Sequence, residues 1–185
     1  MLSQFSREGD KQILKDYFDV PVDVYPVGRL DYDSEGLLLL TNDKTINHRL
    51  LHPSFKHERT YWVQVEGAIT PEAIKTLQQG CTISVNGKTH KTQKCKAGIF
   101  NPAPEVPDRH PPIRYRKNIP DTWIWLTLTE GKNRQVRKMT ASVGFPTLRL
   151  IRYSMEKINI DGLKPGEMSI LTQKEAYSML FGKGN

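Results

Sequence analysis

Cysteine is scarce: the 185 residues contain two, Cys81 and Cys95, too few for a disulfide framework and in neither a CxxC nor a zinc-finger spacing with histidine. Long apolar runs are also missing. The longest, Leu37 to Leu40, falls far short of the roughly 20 residues that span a bilayer, and Met1 to Asp10 lacks the apolar stretch of a secretory signal. The chain has no Walker-type phosphate loop and no internal repeat. A reducing, cytoplasmic compartment and no membrane association are therefore expected. The mean hydropathy of −0.54 and 37% hydrophobic residues suit a globular chain of one or two domains.

Acidic charge is what one part of the chain lacks. From Arg109 to Arg152 ten basic residues face only Asp121 and Glu130, whereas the remainder carries 17 basic and 18 acidic side chains. The whole net charge of +7 thus comes from about a quarter of the length. A polyanion such as RNA or DNA is the matching partner, because each neutralised phosphate releases counterions. The competing reading is a solvated basic face.

Apolar spacing predicts a helical face over Lys11 to Phe18 and a buried strand at Leu37–Leu40. Asp43 is placed to cap a helix reaching about Leu51, with Pro53 ending it, and Thr70-Pro71 to start another that stops at Gly80. Strands are predicted at Thr60–Glu66, Trp123–Thr129 and Leu148–Tyr153, and a hairpin turn at Asn86-Gly87. Six of the twelve prolines fall between Ile99 and Asp121, which marks a long loop. Lys132 to Val143 reads as a helix ended by Gly144, and Thr172 with Glu175 as the capping box of a last helix to Phe181. Without a βαβ rhythm, the expected class is α+β: a mostly antiparallel mixed sheet with flanking helices, folded as two lobes around a central cleft.

Two segments carry chemistry. Gly28-Arg29-Leu30-Asp31-Tyr32-Asp33-Ser34-Glu35-Gly36 sets three carboxylates between two glycines, just ahead of the apolar run. Asp31 as nucleophile or general acid/base, a divalent-metal site of Asp31, Asp33 and Glu35 as in a nuclease, and a merely solvated turn all fit that pattern. The second segment, Glu130-Gly131-Lys132-Asn133-Arg134-Gln135-Val136-Arg137-Lys138-Met139, puts Arg134, Arg137 and Lys138 on one helical face. Arginines there suit a carboxylate or a phosphate; a solvent-facing helix edge has the same spacing.

Val27 to Asp31 continued by Glu35 to Asp43, together with Glu130 to Met139, resembles the paired signatures of the RsuA-type pseudouridine synthases, and Thr60-Tyr61 falls where that family's active-site tyrosine is expected. The loop with Pro111-Pro112-Ile113-Arg114 and Ile119-Pro120 is similar to the branch that modifies large-subunit ribosomal RNA. The resemblance implies an isomerase that breaks a uridine's glycosidic bond, turns the uracil and rejoins it through C5 to C1′, with no cofactor and no metal. It implies Asp31 as the essential carboxylate, Arg137 as its partner and Tyr61 as the group that stacks on the base and assists proton transfer. A nucleophile must be ionised, which an adjacent guanidinium favours.

The target uridine must leave its stack. The basic segment with Arg109, Arg114, Arg116 and Lys117 is the expected RNA clamp; Lys132, Arg134 and Lys138 are expected to line the cleft, and Arg29 to support the site or touch phosphate. Trp123 and Trp125 are candidates to stack on flanking bases, although strand-face tryptophans more commonly pack. Family members usually carry, ahead of this region, a strand with a Lys-Pro pair, and several a small S4-like domain. The expectation here is one catalytic domain over residues 1–185 without either, acting as a monomer on ribosomal RNA. The alternatives are a metal-dependent nuclease and a non-catalytic RNA-binding or ribosome-assembly protein.

Overall fold

The computed structural model describes residues 1–114 and 116–182. The first helical prediction is not met: only a 3-10 turn forms, at Leu14–Asp16. The backbone there is already engaged, since Leu2 N–H donates to the Gln12 carbonyl (2.7 Å) and Leu14 N–H to that of Gln4 (3.0 Å). A helical ladder cannot also use those groups.

Three two-residue strands follow, β1 (Tyr25–Pro26), β2 (Glu35–Gly36) and β3 (Leu40–Thr41). The apolar run is thus not one buried strand; Leu37 alone of its four residues is buried. Helix α1 (Lys44–Leu51) starts where Asp43 Oδ1 accepts from the N–H groups of Thr45 and Ile46. It is followed by β4 (Arg59–Glu66) and by α2 (Pro71–Gln79), capped by Thr70. The hairpin of β5 (Thr82–Val85) and β6 (Lys88–Lys91) turns at Asn86-Gly87, both with positive φ as a type I′ turn requires.

Strand β7 (Lys96–Ile99) leads into the proline-rich loop, and β8 (Asp121–Leu128) leaves it. Helix α3 (Gln135–Ser142), β9 (Thr147–Met155), β10 (Ile158–Asn159) and α4 (Gln173–Phe181) complete the order. The main sheet runs β10-β9-β4-β8-β7, all antiparallel, with β2 added parallel to β9.

Two hydrophobic clusters form. In the first, Val63 and Val65 of β4 and Ile124, Leu126 and Leu128 of β8 face Ala73, Ile74 and Leu77 of α2 and Val136 and Met139 of α3. The second gathers Val27, Leu37, Ile46, Leu50, Met155, Ile158 and Leu180. On the sheet's other face Trp62 stacks on Tyr153 at 4.4 Å, with Phe100 against its edge. Trp123 is buried and Trp125 lies where a Cβ on Gly98 would come within 2.8 Å of it. Both tryptophans pack rather than stand open for bases.

Candidate active site

The acidic loop and the basic helix are rooted in different clusters and meet through Asp33. The loop leaves the second cluster through Val27 and re-enters it at Leu37; the helix is anchored in the first by Val136 and Met139. Helix α3 begins three residues later than its sequence predicts, because residues 130–134 form a self-bonded turn. Glu130 is buried and satisfied: its Oε1 accepts from Gln93 N–H (2.7 Å) and the Gln135 amide (2.7 Å), and its Oε2 contacts His90 Nε2 at 3.1 Å. Gln135 Oε1 in turn accepts from Lys132 N–H at 2.8 Å. Arg134, at the helix N-cap, adopts a left-handed conformation with φ 52°, a cost the surrounding hydrogen bonds hold in place.

That turn aims Arg134 across the loop. Its two Nη atoms donate to the Asp33 carboxylate at 2.9 and 2.8 Å, and it lies 3.7 Å from Asp31. Arg137, more deeply placed, donates from Nη2 to the Asp33 carbonyl at 2.8 Å and approaches the Asp33 carboxylate at 3.4 Å. The expected direct Asp31–Arg137 pair is therefore not formed. Asp33 takes both guanidiniums, and Asp31 is left half-buried beside Arg134. Arg134's hydrogen bond, aided by the charges of Arg137 and Arg134, holds the Asp33 carboxyl below the usual carboxylate range against the opposing effect of partial burial. Burial pushes Arg137 down from the ordinary arginine value, with Asp33 and Asp31 pulling the other way.

Tyr61 lies on the inner face of β4, in register with Leu126 on one side and Arg152 on the other. Glu35 points elsewhere: Arg149 grips it bidentately at 3.0 and 2.8 Å and Arg109 Nε contacts it at 3.0 Å. Arg149 also donates to the Pro107 carbonyl, so Glu35 pins the proline-rich loop to the sheet. The three acids consequently do not converge, and among the described residues no group of three histidine, cysteine or carboxylate side chains is poised for a metal ion. The three-carboxylate set of the nuclease alternative is not assembled here, Asp33 and Glu35 each being held by arginines.

Of the predicted RNA ligands, Arg109 is engaged by Glu35 and Arg116 by Glu66. Arg29, Arg114, Lys117 and Lys132 are exposed, and none of them has an ion-pair partner among the described residues. Lys138 lines a groove of about 570 Å³ between α3 and the β5–β6 hairpin. The sequence reading missed the roles of Asp33, Glu35, Arg149 and Arg152. The first two lay inside the acidic segment singled out from the sequence, whereas the arginines of β9 carried no local signal beyond strand alternation.

Residues 4–142 match the RNA pseudouridylate synthase family. The chain belongs to that family and is an RNA pseudouridine synthase. It is 47% identical over 166 residues to the ribosomal large subunit pseudouridine synthase E of Vibrio parahaemolyticus, covering 90% of this chain and 67% of that protein. It is 48% identical to the protein of the same name from Xanthomonas axonopodis pv. citri, covering 89% of this chain and 85% of that one. The ribosomal large subunit pseudouridine synthase B of Bacillus subtilis is 32% identical over 95% of this chain and 65% of its own length. A solved pseudouridylate synthase superimposes with a TM-score of 0.73 at 27% identity, covering 92% of this chain and 66% of the other. The expected α+β architecture, antiparallel apart from the β2–β9 pair, holds.

Proposed function

We propose that the chain converts a uridine of large-subunit ribosomal RNA to pseudouridine, with Asp31 as the reacting carboxylate. The relatives named for that subunit support the substrate class. The observation that carries the site assignment is the state of Asp31: it is the one carboxylate of the loop with no hydrogen bond from an arginine, while Asp33 and Glu35 are occupied. Arg134, 3.7 Å away, stands beside it without capping its oxygens. Asp31 then works at the ribose as nucleophile or base, the glycosidic bond breaks, and the retained uracil turns and bonds to C1′ through C5, which gives up its proton to solvent as N1 takes one.

Tyr61 stacks on the base and assists proton movement, a phenol serving both ends. Arg137 orders the loop from beneath through the Asp33 backbone. The reaction needs no redox partner, since the uracil is only re-attached, and on this proposal the protein acts without cofactor or metal in the cytoplasm. Tritium release from C5-labelled large-subunit RNA tests it. Wild-type enzyme is expected to release tritium fully in excess EDTA, and Asp31→Asn to release none; normal turnover by Asp31→Asn would remove the assignment. Salt-sensitive RNA binding with no pseudouridine formed by the wild type would instead favour an assembly role.

A further inference from the structure

Arg152 is buried, at 5% exposure, in the middle of β9. It sits at a junction. On one side its backbone pairs with Gly36 of β2, and its carbonyl accepts from Leu37 N–H at 2.8 Å. Its own Nε donates back to the Leu37 carbonyl at 2.7 Å. On the other side it stands opposite Tyr61 of β4. Its Nη2 is sealed from solvent and has no hydrogen-bond partner among the described residues.

A sealed guanidinium with an unfilled donor is a poor device for stability, since a hydrophobic residue of similar volume commonly does as well or better. Substrate cannot reach the enclosed Nη2 directly. The neighbouring group that offsets the burial of this arginine is the Tyr61 phenol, whereas Arg59 adds to the unfavourable side. We propose that Arg152 is a positioning residue for the reaction: its guanidinium, bonded to the Leu37 carbonyl of the strand that follows the Asp31 loop, stands beside Tyr61 across the β4–β9 pairing and so sets the distance between carboxylate and tyrosine. This rests on the reading of Asp31 and Tyr61 given above. A lysine cannot replace it, because an ammonium lacks the rigid planar fork that fixes one N–H on the Leu37 carbonyl while the rest of the group stands beside Tyr61.

The test uses the full chain and a C5-tritiated large-subunit RNA transcript in single turnover, with urea unfolding as the check on folding. Arg152→Met and Arg152→Lys are expected to keep the half-saturating enzyme concentration within about twofold while the saturated rate falls tenfold or more, as for an interaction felt at the reacting groups. In a Tyr61→Phe background the same Arg152→Met change is expected to cost less than about threefold, because the side chain it positions has already lost its reacting hydroxyl. A saturated rate within twofold of wild type in either folded variant overturns the proposal. So do costs that multiply fully in the Tyr61→Phe background. If Arg152→Met does not fold, Arg152→Lys decides by the same rate criterion. Asp31→Asn is run alongside: its normal turnover would remove the underlying assignment, whereas an inactive Asp31→Asn beside a fully active Arg152 variant removes only this inference.

Discussion

Asp33 lies two residues from Asp31 in a shared turn and has a different role. The Arg134 fork and the Arg137 charge draw its carboxyl below the ordinary carboxylate range. Because its pKa is lower folded than unfolded, its stabilising contribution is complete above the unfolded value and is lost as the pH falls through the folded one. Carbon NMR of the side-chain carboxyl is expected to show an Asp33 midpoint below the usual carboxylate range; a midpoint within or above that range would contradict the pairing. Asp33→Asn loosens the two arginines without touching Asp31, the carboxylate proposed to react. Its turnover is expected to fall by up to about 10²-fold, as for a small misplacement of a site, and not to vanish. Asp31→Asn in the same tritium assay gives the contrast.

Elements become a site through β2, a strand of only two residues. Gly36 has φ 103°, and a Cβ there would sit 2.3 Å from the Arg152 carbonyl oxygen. No L side chain fits without parting β2 from β9. Gly36→Ala is therefore expected to lower the thermal midpoint by several degrees, on the scale of about 1–3 kcal/mol for strained backbone. It should also reduce turnover by more than the stability loss explains, since the Asp31 loop hangs from this pairing. Calorimetry and the tritium assay on one preparation check both; an unchanged midpoint would show that the close approach does not matter.

Over the whole molecule the concentration of basic residues overstates the charge open to RNA. Of the ten between Arg109 and Arg152, Glu35 holds Arg109 and Arg149, Glu66 holds Arg116, Asp33 holds Arg134 and Arg137, and Arg152 is buried. Arg114, Lys117, Lys132 and Lys138 remain without an ion pair among the described residues. Each phosphate contact contributes roughly 0.7–0.9 to the slope of log affinity against log salt, so this segment should give a slope of about −3 to −4 and about 10²-fold weaker binding between 50 and 200 mM salt. Titration of a labelled RNA fragment at several salt concentrations measures it. Lys132→Ala with Lys138→Ala should reduce the slope by about 2; a slope near −10 would mean that the internal ion pairs open on binding.

The local parts of this protein were legible without coordinates. Asp43, Thr70 and Thr172 announce their helices because a cap acts on N–H groups two or three residues away. Asn86-Gly87 announces its hairpin for the same reason, and the two motifs named the family because their residues are contiguous in sequence. Partnership of charges was not legible. Arg149 and Glu35 are 114 residues apart, and Arg134 and Asp33 are 101 apart. Such pairs form only where the sheet brings β2 beside β9 and α3 over the loop, since Coulomb attraction follows distance in space and is indifferent to separation along the chain. The amino-acid order by itself determined which residues are available for the chemistry. Tertiary structure decided which of the three carboxylates arginines hold and which they leave without a hydrogen bond.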